Sequence, residues 1–291
     1  MTRSFLSLLF LTWFLLVPVR AIETSGGYVT TPPTVSNWNS GWPTVGKTGW
    51  DYVGQINGGA SAVYLGYGWV LTARHVGSGD FTLNGVTYPL VTGSEHYLTN
   101  SDGTADLTLF QISTSPALNP LTLSQAPPTA FFDTPPGSQD VMIGYGGGQG
   151  ETWGTGSVSF IDQLQQPQGL PYISNDFLVL YGSYTFSLGS FNNTATLVGG
   201  DSGGGNFIYN TQTHDWELAG INEVVGTGTV EGQDFNYSGM VQLSTYAAQI
   251  NALVNPPASD SPTLPVPGLL VMACLLLWAA SRSLGKSARH G

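Results

Sequence analysis

Ser61-Ala62-Val63-Tyr64-Leu65-Gly66-Tyr67-Gly68-Trp69-Val70-Leu71-Thr72-Ala73-Arg74-His75-Val76 is the stretch from which the fold is read. Two runs rich in aliphatic, β-branched and aromatic residues, Ser61 to Leu65 and Trp69 to Thr72, flank a Gly-Tyr-Gly spacer that suits a tight reversal. The stretch therefore predicts two joined strands, the second of which delivers a histidine at its end. The same grammar repeats on either side. Phe81 to Tyr88 contains Asn84-Gly85, the pair favoured where both central residues of a hairpin turn need positive φ. Short apolar runs predict further strands at Asp106 to Ile112, Val141 to Tyr145, Gly156 to Ile161, Phe177 to Tyr181, Gly205 to Tyr209 and Trp216 to Ile221. Helical periodicity is confined to one late segment. There Ser244 is placed to cap, Tyr246, Ile250, Leu253 and Val254 share a face, and Asn255-Pro256-Pro257 ends the helix. The fold class expected is all-β with a C-terminal helix.

The ends of the chain have a different composition. Met1-Thr2-Arg3, the apolar run Phe5 to Val17 and the exit Val19-Arg20-Ala21 have the three regions of a secretory signal, so residues 1–21 are set apart. Residues 22–47 and 255–267, rich in Thr, Ser and Pro, read as a flexible N-terminal arm and a linker. They bracket a body at residues 48–254. The apolar run Gly268 to Ala280, followed by Arg282, Lys286 and Arg289, has the pattern of a membrane stop with a positive tail, although it is shorter than the ~20 residues a spanning helix needs.

Charge narrows the partners. Of seven Lys and Arg, only Lys47 and Arg74 lie outside the two end segments, against 18 Asp and Glu in the whole chain. Such an acidic body repels nucleic acid and anionic lipid, which leaves the C-terminal segment as the membrane-directed part. Cys274, the sole cysteine, lies in that segment, so the exported body has no disulfide and must be held by packing. His75, His96 and His214 have no metal-ligand spacing, and no metal or cofactor is expected.

Three segments carry chemistry. In Gly199-Gly200-Asp201-Ser202-Gly203-Gly204 a serine sits among glycines that allow the backbone to approach a substrate carbonyl, the arrangement an activated serine needs for its oxyanion; the same string is also an ordinary β-turn. His75, at the end of an apolar strand, suits a general base on a rigid scaffold, or a surface histidine. Asp106, which opens the strand Asp106-Leu107-Thr108-Leu109-Phe110, suits a carboxylate that orients an imidazole, or one that caps a turn.

Taken together, His75, Asp106 and Ser202 occur in the order His, Asp, Ser. Thr72-Ala73-Arg74-His75 resembles the Thr-Ala-Ala-His box, and Ala105-Asp106-Leu107-Thr108-Leu109 the Asp-Ile-Ala-Leu strand, of chymotrypsin/trypsin-like serine proteases. Gly200-Asp201-Ser202-Gly203-Gly204 matches their Gly-Asp-Ser-Gly-Gly box, and Gly144-Tyr145-Gly146 is similar to their Gly-Trp-Gly. Over residues 50–254 the resemblance implies two antiparallel β-barrels with the triad in the cleft between them. It also implies an oxyanion hole from the backbone N–H groups of Gly200 and Ser202, and a protein or peptide substrate. The α/β-hydrolase order Ser, Asp, His fails because only His214 follows within the body, too soon. The subtilisin order, which Asp51, His75 and Ser202 would give, needs parallel strands alternating with helices that this sequence lacks.

Other implications of the resemblance concern activation, specificity and location. No Ile-Val-Gly-Gly activation site is present; cleavage after Ala21 would expose Ile22, and the arm-like character of residues 22–47 argues against its reaching Asp201. Thr196, six residues before Ser202, falls at the floor of the substrate side-chain pocket, with Glu223 and Val225 in its wall, which favours small or medium apolar side chains. Pro265-Val266-Pro267 with the run after it resembles a PEP-CTERM sorting segment without its glutamate, and implies an exported protein of the cell envelope or exterior. The competing function is a catalytically inactive surface binding protein on the same fold.

Overall fold

The computed structural model describes residues 22–255. The leader read at residues 1–21, the linker beyond Asn255 and the segment at 268–291 with Cys274 lie outside the described residues. Within them no helix is long and apolar enough to cross a membrane.

A short strand, β1 (Glu23–Thr24), precedes two sheets. The first contains β2 (Val53–Ile56), β3 (Ala60–Gly66), β4 (Trp69–Ala73), β5 (Phe81–Leu83), β6 (Val86–Tyr88), β7 (His96–Asn100) and β8 (Gly103–Gln111). Their order is β6-β5-β2-β3-β4-β8-β7, and every pairing is antiparallel. The chain continues with β9 (Gln139–Gly144), β10 (Thr152–Ser157), β11 (Phe160–Gln165), β12 (Ser174–Phe186), β13 (Gly189–Asn193), β14 (Ala195–Thr196), β15 (Gly205–Asn210), β16 (Asp215–Val230) and β17 (Gln233–Gln242), all of which except β14 form the second sheet. It runs β10-β9-β15-β16-β17-β12-β11, with β13 paired to β12, while β14 pairs with β1 instead. A 3-10 turn at Leu243–Thr245 leads into α1 (Ala247–Val254), the expected late helix.

The sequence reading expected two antiparallel barrels. The ladders give two antiparallel sheets, and no closed barrel is seen among the described residues, although each sheet bends back on itself. In the first, Leu90 beyond β6 bridges Ile112 beyond β8. In the second, β10 and β11 are the two ends of the path, yet only Val158 and Ser159 separate them in sequence, so connectivity alone forces the ends together. Gly156 to Ile161, read as one strand, is the corner where β10 ends and β11 begins.

The strand and turn chemistry of the opening stretch holds. β3 and β4 pair through Val63↔Leu71 and Tyr64↔Val70. Asn84 (φ 50°) and Gly85 (φ 78°) both take the left-handed conformation that the β5–β6 hairpin requires. One apolar cluster joins β2, β3, β4 and β8 to Val141, Ile143, Phe207, Ile221 and the helix residues Ile250 and Val254. A second fills the other face of the second sheet with Met142, Phe177, Val179, Ala219 and Met240. At about 1.5–3 kcal/mol for each fully buried large apolar side chain, these clusters take the place of cross-links.

Residues 22–47 are not a flexible arm. Trp38 is 1% exposed and meets Trp216 edge-on at 4.8 Å, and Trp42 stacks on Trp216 at 5.7 Å. The Trp216 indole N–H donates to the Asn37 carbonyl at 2.9 Å. Aromatic area outweighs the turn-rich composition that made this segment look loose.

The second sheet also buries an acid. Asp140 on β9 is 0% exposed, and burial holds its carboxyl well above the usual carboxylate range, only partly offset by the Val141 N–H. The folded state therefore keeps a proton that the unfolded chain releases, and stability falls as pH rises through the interval between the two pKa values. Asp140→Asn should flatten that fall by on the order of 1 kcal/mol per pH unit across the acidic to neutral range. Denaturant unfolding at a series of pH values checks this; parallel profiles for the two proteins would contradict it.

Candidate active site

His75 stands two residues past the end of β4, where Ala73 closes the strand pairing with β8. Asp106 lies in β8, so the ladder between these strands brings the two residues together across 31 positions. The Asp106 carboxyl engages His75 twice. Its Oδ1 accepts the His75 backbone N–H at 2.7 Å, and its Oδ2 lies 2.5 Å from Nδ1 of the ring. Asp106 is fully buried, whereas the His75 side chain keeps 24% of its surface open. A carboxylate held from below thus leaves the other imidazole nitrogen available to a reacting group. Beside it, the Arg74 guanidinium turns away, over the rings of Tyr97 at 4.0 Å and Tyr172 at 4.6 Å.

Ser202 comes from the second sheet's side, on the loop that enters β15, and is half-buried. Its carbonyl accepts the backbone N–H of Ser61 on β3 at 3.0 Å. The next residue shows how close the seat is. A Cβ on Gly203, whose φ is +86°, would stand 2.1 Å from the Ser61 carbonyl oxygen and 2.2 Å from Thr72 Oγ1. Thr72 is three residues before His75 and donates its hydroxyl to that same carbonyl at 2.8 Å. The serine loop is therefore docked on the strand that delivers the histidine.

Asp201 fixes the loop from its other side. Its Oδ2 accepts the Val198 N–H and its Oδ1 the Gly146 N–H, each at 2.9 Å. The Ile22 backbone N–H also donates to it. Burial pushes this carboxyl up to about 7 against those three donors. Gly144 and Gly146 make room for it, since a Cβ at either would lie 2.5 Å or 2.7 Å from Asp201 Oδ1. That contact accounts for the Gly-Tyr-Gly string at 144–146. Gly200, half-buried with φ +96°, continues the same turn, and its carbonyl accepts the Ser61 hydroxyl at 3.3 Å.

The residues expected around the substrate side chain are dispersed in character. Thr196 on β14 is half-buried, with its hydroxyl 3.2 Å from Ser238 Oγ. Val225 on β16 is 49% exposed. Glu223, two residues earlier, is 6% exposed, and its Oε1 accepts the Ser174 hydroxyl at 2.9 Å. Among the described residues no group of three or more His, Cys, Asp or Glu is placed to hold a metal ion.

Sequence reasoning missed Ser61, Asn222 and Ser174. Asn222, fully buried on β16, donates its amide to the carbonyls of Ile143 and Asp201, both at 3.1 Å, while the Gly203 N–H donates to its own carbonyl at 2.9 Å. An asparagine in the apolar run Leu218-Ala219-Gly220-Ile221-Asn222 was a legible sign of a buried polar staple. Ser61 and Ser174 carried no such sign.

A family model described as Trypsin matches residues 39–250. No curated protein matches the chain. Among solved structures, the HtrA-type protease AlgW with a tripeptide is 17% identical over 77% of this chain and 64% of that one, with a TM-score of 0.47. AlgW with a decapeptide is 19% identical over 68% of this chain, with a TM-score of 0.43, and this chain covers only 52% of its length. The apo protease domain of MamO from Magnetospirillum magneticum is 16% identical over 69% of this chain and 96% of that one, with a TM-score of 0.41.

Gly203→Ala should destabilise the protein by about 1–3 kcal/mol, because neither the Ser61 carbonyl nor the positive φ accommodates a methyl group. Thermal unfolding of the variant checks this, and an unchanged midpoint would mean the loop is not seated as described.

Proposed function

The chain belongs to the trypsin family of serine endopeptidases, and from that premise we propose that it cuts peptide bonds with Ser202 as nucleophile, His75 as general base and Asp106 as the orienting carboxylate. The supporting observation is the double engagement of His75 by a fully buried Asp106, at the end of the strand β4 whose Thr72 the Ser202 loop packs against. In this reading Ser202 Oγ attacks the scissile carbonyl while His75 takes its proton. The backbone N–H groups of Gly200 and Ser202 then stabilise the oxyanion. His75 passes the proton to the leaving amine, and water repeats the sequence on the acyl-enzyme.

Ser202→Ala and His75→Ala should each abolish hydrolysis, because nucleophile and base act as one unit. Asp106→Asn should keep the fold and lower turnover by on the order of 10⁴, since the imidazole is then held in the wrong tautomer. Mass-spectrometric location of a fluorophosphonate adduct is the direct test. An unlabelled Ser202 in folded protein would favour a protease-fold binding protein instead.

Specificity follows from Thr196 and Val225. A hydroxyl at the pocket floor and a branched side chain in its wall supply no carboxylate for Lys or Arg and leave a shallow space. Cleavage of a peptide library after Ala, Val or Leu is expected, and a preference for Arg or Lys would overturn this.

Location and activation meet at Ile22, which is 0% exposed and donates its N–H to Asp201. We read residues 1–21 as a leader removed on export and the C-terminal segment as a membrane-retaining or sorting element. Removal of the leader turns the Ile22 amide into an α-ammonium beside a buried acid, which pairs the charge and seats the serine loop. Protein beginning at Ile22 should label at Ser202 roughly tenfold or more faster than protein that retains the preceding residues, equivalent to about 1.4 kcal/mol of barrier. A paired ammonium has its pKa raised, so this advantage is present at neutral pH and lost as pH rises through the raised value. Equal labelling of the two forms would sink the coupling.

A further inference from the structure

Asp106 is held by more than His75. Its backbone N–H donates to Ser174 Oγ at 2.9 Å, so β8 of the first sheet is tied to the start of β12 in the second. The Ser174 hydroxyl donates in turn to Glu223 Oε1 at 2.9 Å. Behind Glu223 lies Asp176. Asp106, Ser174 and Asp176 are all 0% exposed, and Glu223 is 6% exposed.

Three carboxyl groups thus share one dry region. Taken as ionised, neither Asp176 oxygen has a donor. A carboxylate only accepts, so the hydrogen bond between Glu223 and Asp176 requires a proton on one of them. The other titratable groups facing the pair are Asp106 from β8, Tyr237 from β17 and Tyr246 ahead of α1, none of them a cation. Coulomb repulsion in such a region makes a fully ionised trio untenable.

We propose that Glu223 is a positioning residue for the hydrolytic reaction: held in its acid form against Asp176, it anchors the Ser174 hydroxyl that supports the Asp106 backbone, and so sets the carboxylate that orients His75. The proposal rests on the triad reading above. It gives Glu223 a place behind the reacting groups instead of in the wall of the substrate pocket. Burial raises both carboxyls, and the hydrogen bond between them lowers Asp176 while raising Glu223, which puts the shared proton on Glu223. Loss of that proton would leave Glu223 and Asp176 both ionised next to Asp106, so the support for Asp106 would fail as pH climbs.

The test compares the full chain with its Glu223→Ala, Glu223→Gln and Ser174→Ala forms. Two readouts are used: kcat and KM across neutral to alkaline pH, and the low-field proton NMR resonance of the His75–Asp106 hydrogen bond. Glu223→Ala and Ser174→Ala should lower kcat by about 10- to 100-fold while KM stays within about threefold, as expected of a misplaced catalytic group. Glu223→Gln, which keeps an acceptor for Ser174 and a donor for Asp176 without a titrating proton, should recover most of that loss and shift the alkaline decline upward. The NMR resonance should weaken in the two alanine forms and return in the glutamine form. Unchanged kcat and resonance in Ser174→Ala, or a glutamine form no better than the alanine form, would overturn the proposal. Absence of hydrolysis and of labelling in the unmodified chain would instead remove the Ser202 reading, while the resonance still decides the role of Glu223.

Discussion

The carboxyl of Asp201 sits where three remote parts of the chain must agree. Val198 offers an N–H from just before the serine loop, Gly146 from the turn after β9, and Ile22 from the first described residue. Removing a carboxyl from water is costly unless such donors surround it, so the acid enforces the positions of all three segments at once. The glycines at 144 and 146, the tight turn at Gly200 and the burial of Ile22 are consequences of that demand. Ser202, next in sequence, inherits its position. The serine loop is thus defined on one side by backbone donors to Asp201 and on the other by Ser61 and Thr72.

Much of this was legible in the residues. The strand pair around Gly66-Tyr67-Gly68, the Asn84-Gly85 hairpin and the late helix follow from local chemistry that tertiary context does not oppose, and each is present. The pairing of His75 with Asp106 was legible because both sit at the same end of adjoining strands. The errors share a cause. Residues 22–47 looked loose because their many turn formers hid the contact area of Trp38 and Trp42, which meet Trp216 of β16 edge-on and stacked respectively. Gly156 to Ile161 looked like one strand because the corner between β10 and β11 uses Val158 and Ser159, with no Gly, Pro, Asn or Asp to mark it. The partnership of Ser174 with Glu223, 49 residues apart, left no trace in the sequence because a serine and a glutamate are unremarked anywhere.

The body's charge distribution has its own logic. With Lys47 paired to Asp51 at 2.9 Å and Arg74 spread over two tyrosine rings, neither cation outside the end segments is turned to the interior acids. Asp140, Asp176 and Glu223 are instead kept by burial with raised proton affinity, so this part of the interior holds protons where other proteins use ion pairs.

The two-residue corner at Val158 and Ser159 bears on how the chain reaches this state. β10 and β11 follow each other directly yet pair with different partners, β9 and β12, and β9 itself pairs with β15, more than sixty positions later in the sequence. Few of these ladders form by local zippering, and their order of assembly is set by loop closure across long separations. A sheet of this kind is slow to make. Once the corner is in place, however, loosening one end of the path pulls on the other, so partial opening gains little freedom. Resistance to unfolding in a domain whose described residues contain no cysteine then resides in the rate of escape as much as in the depth of the well.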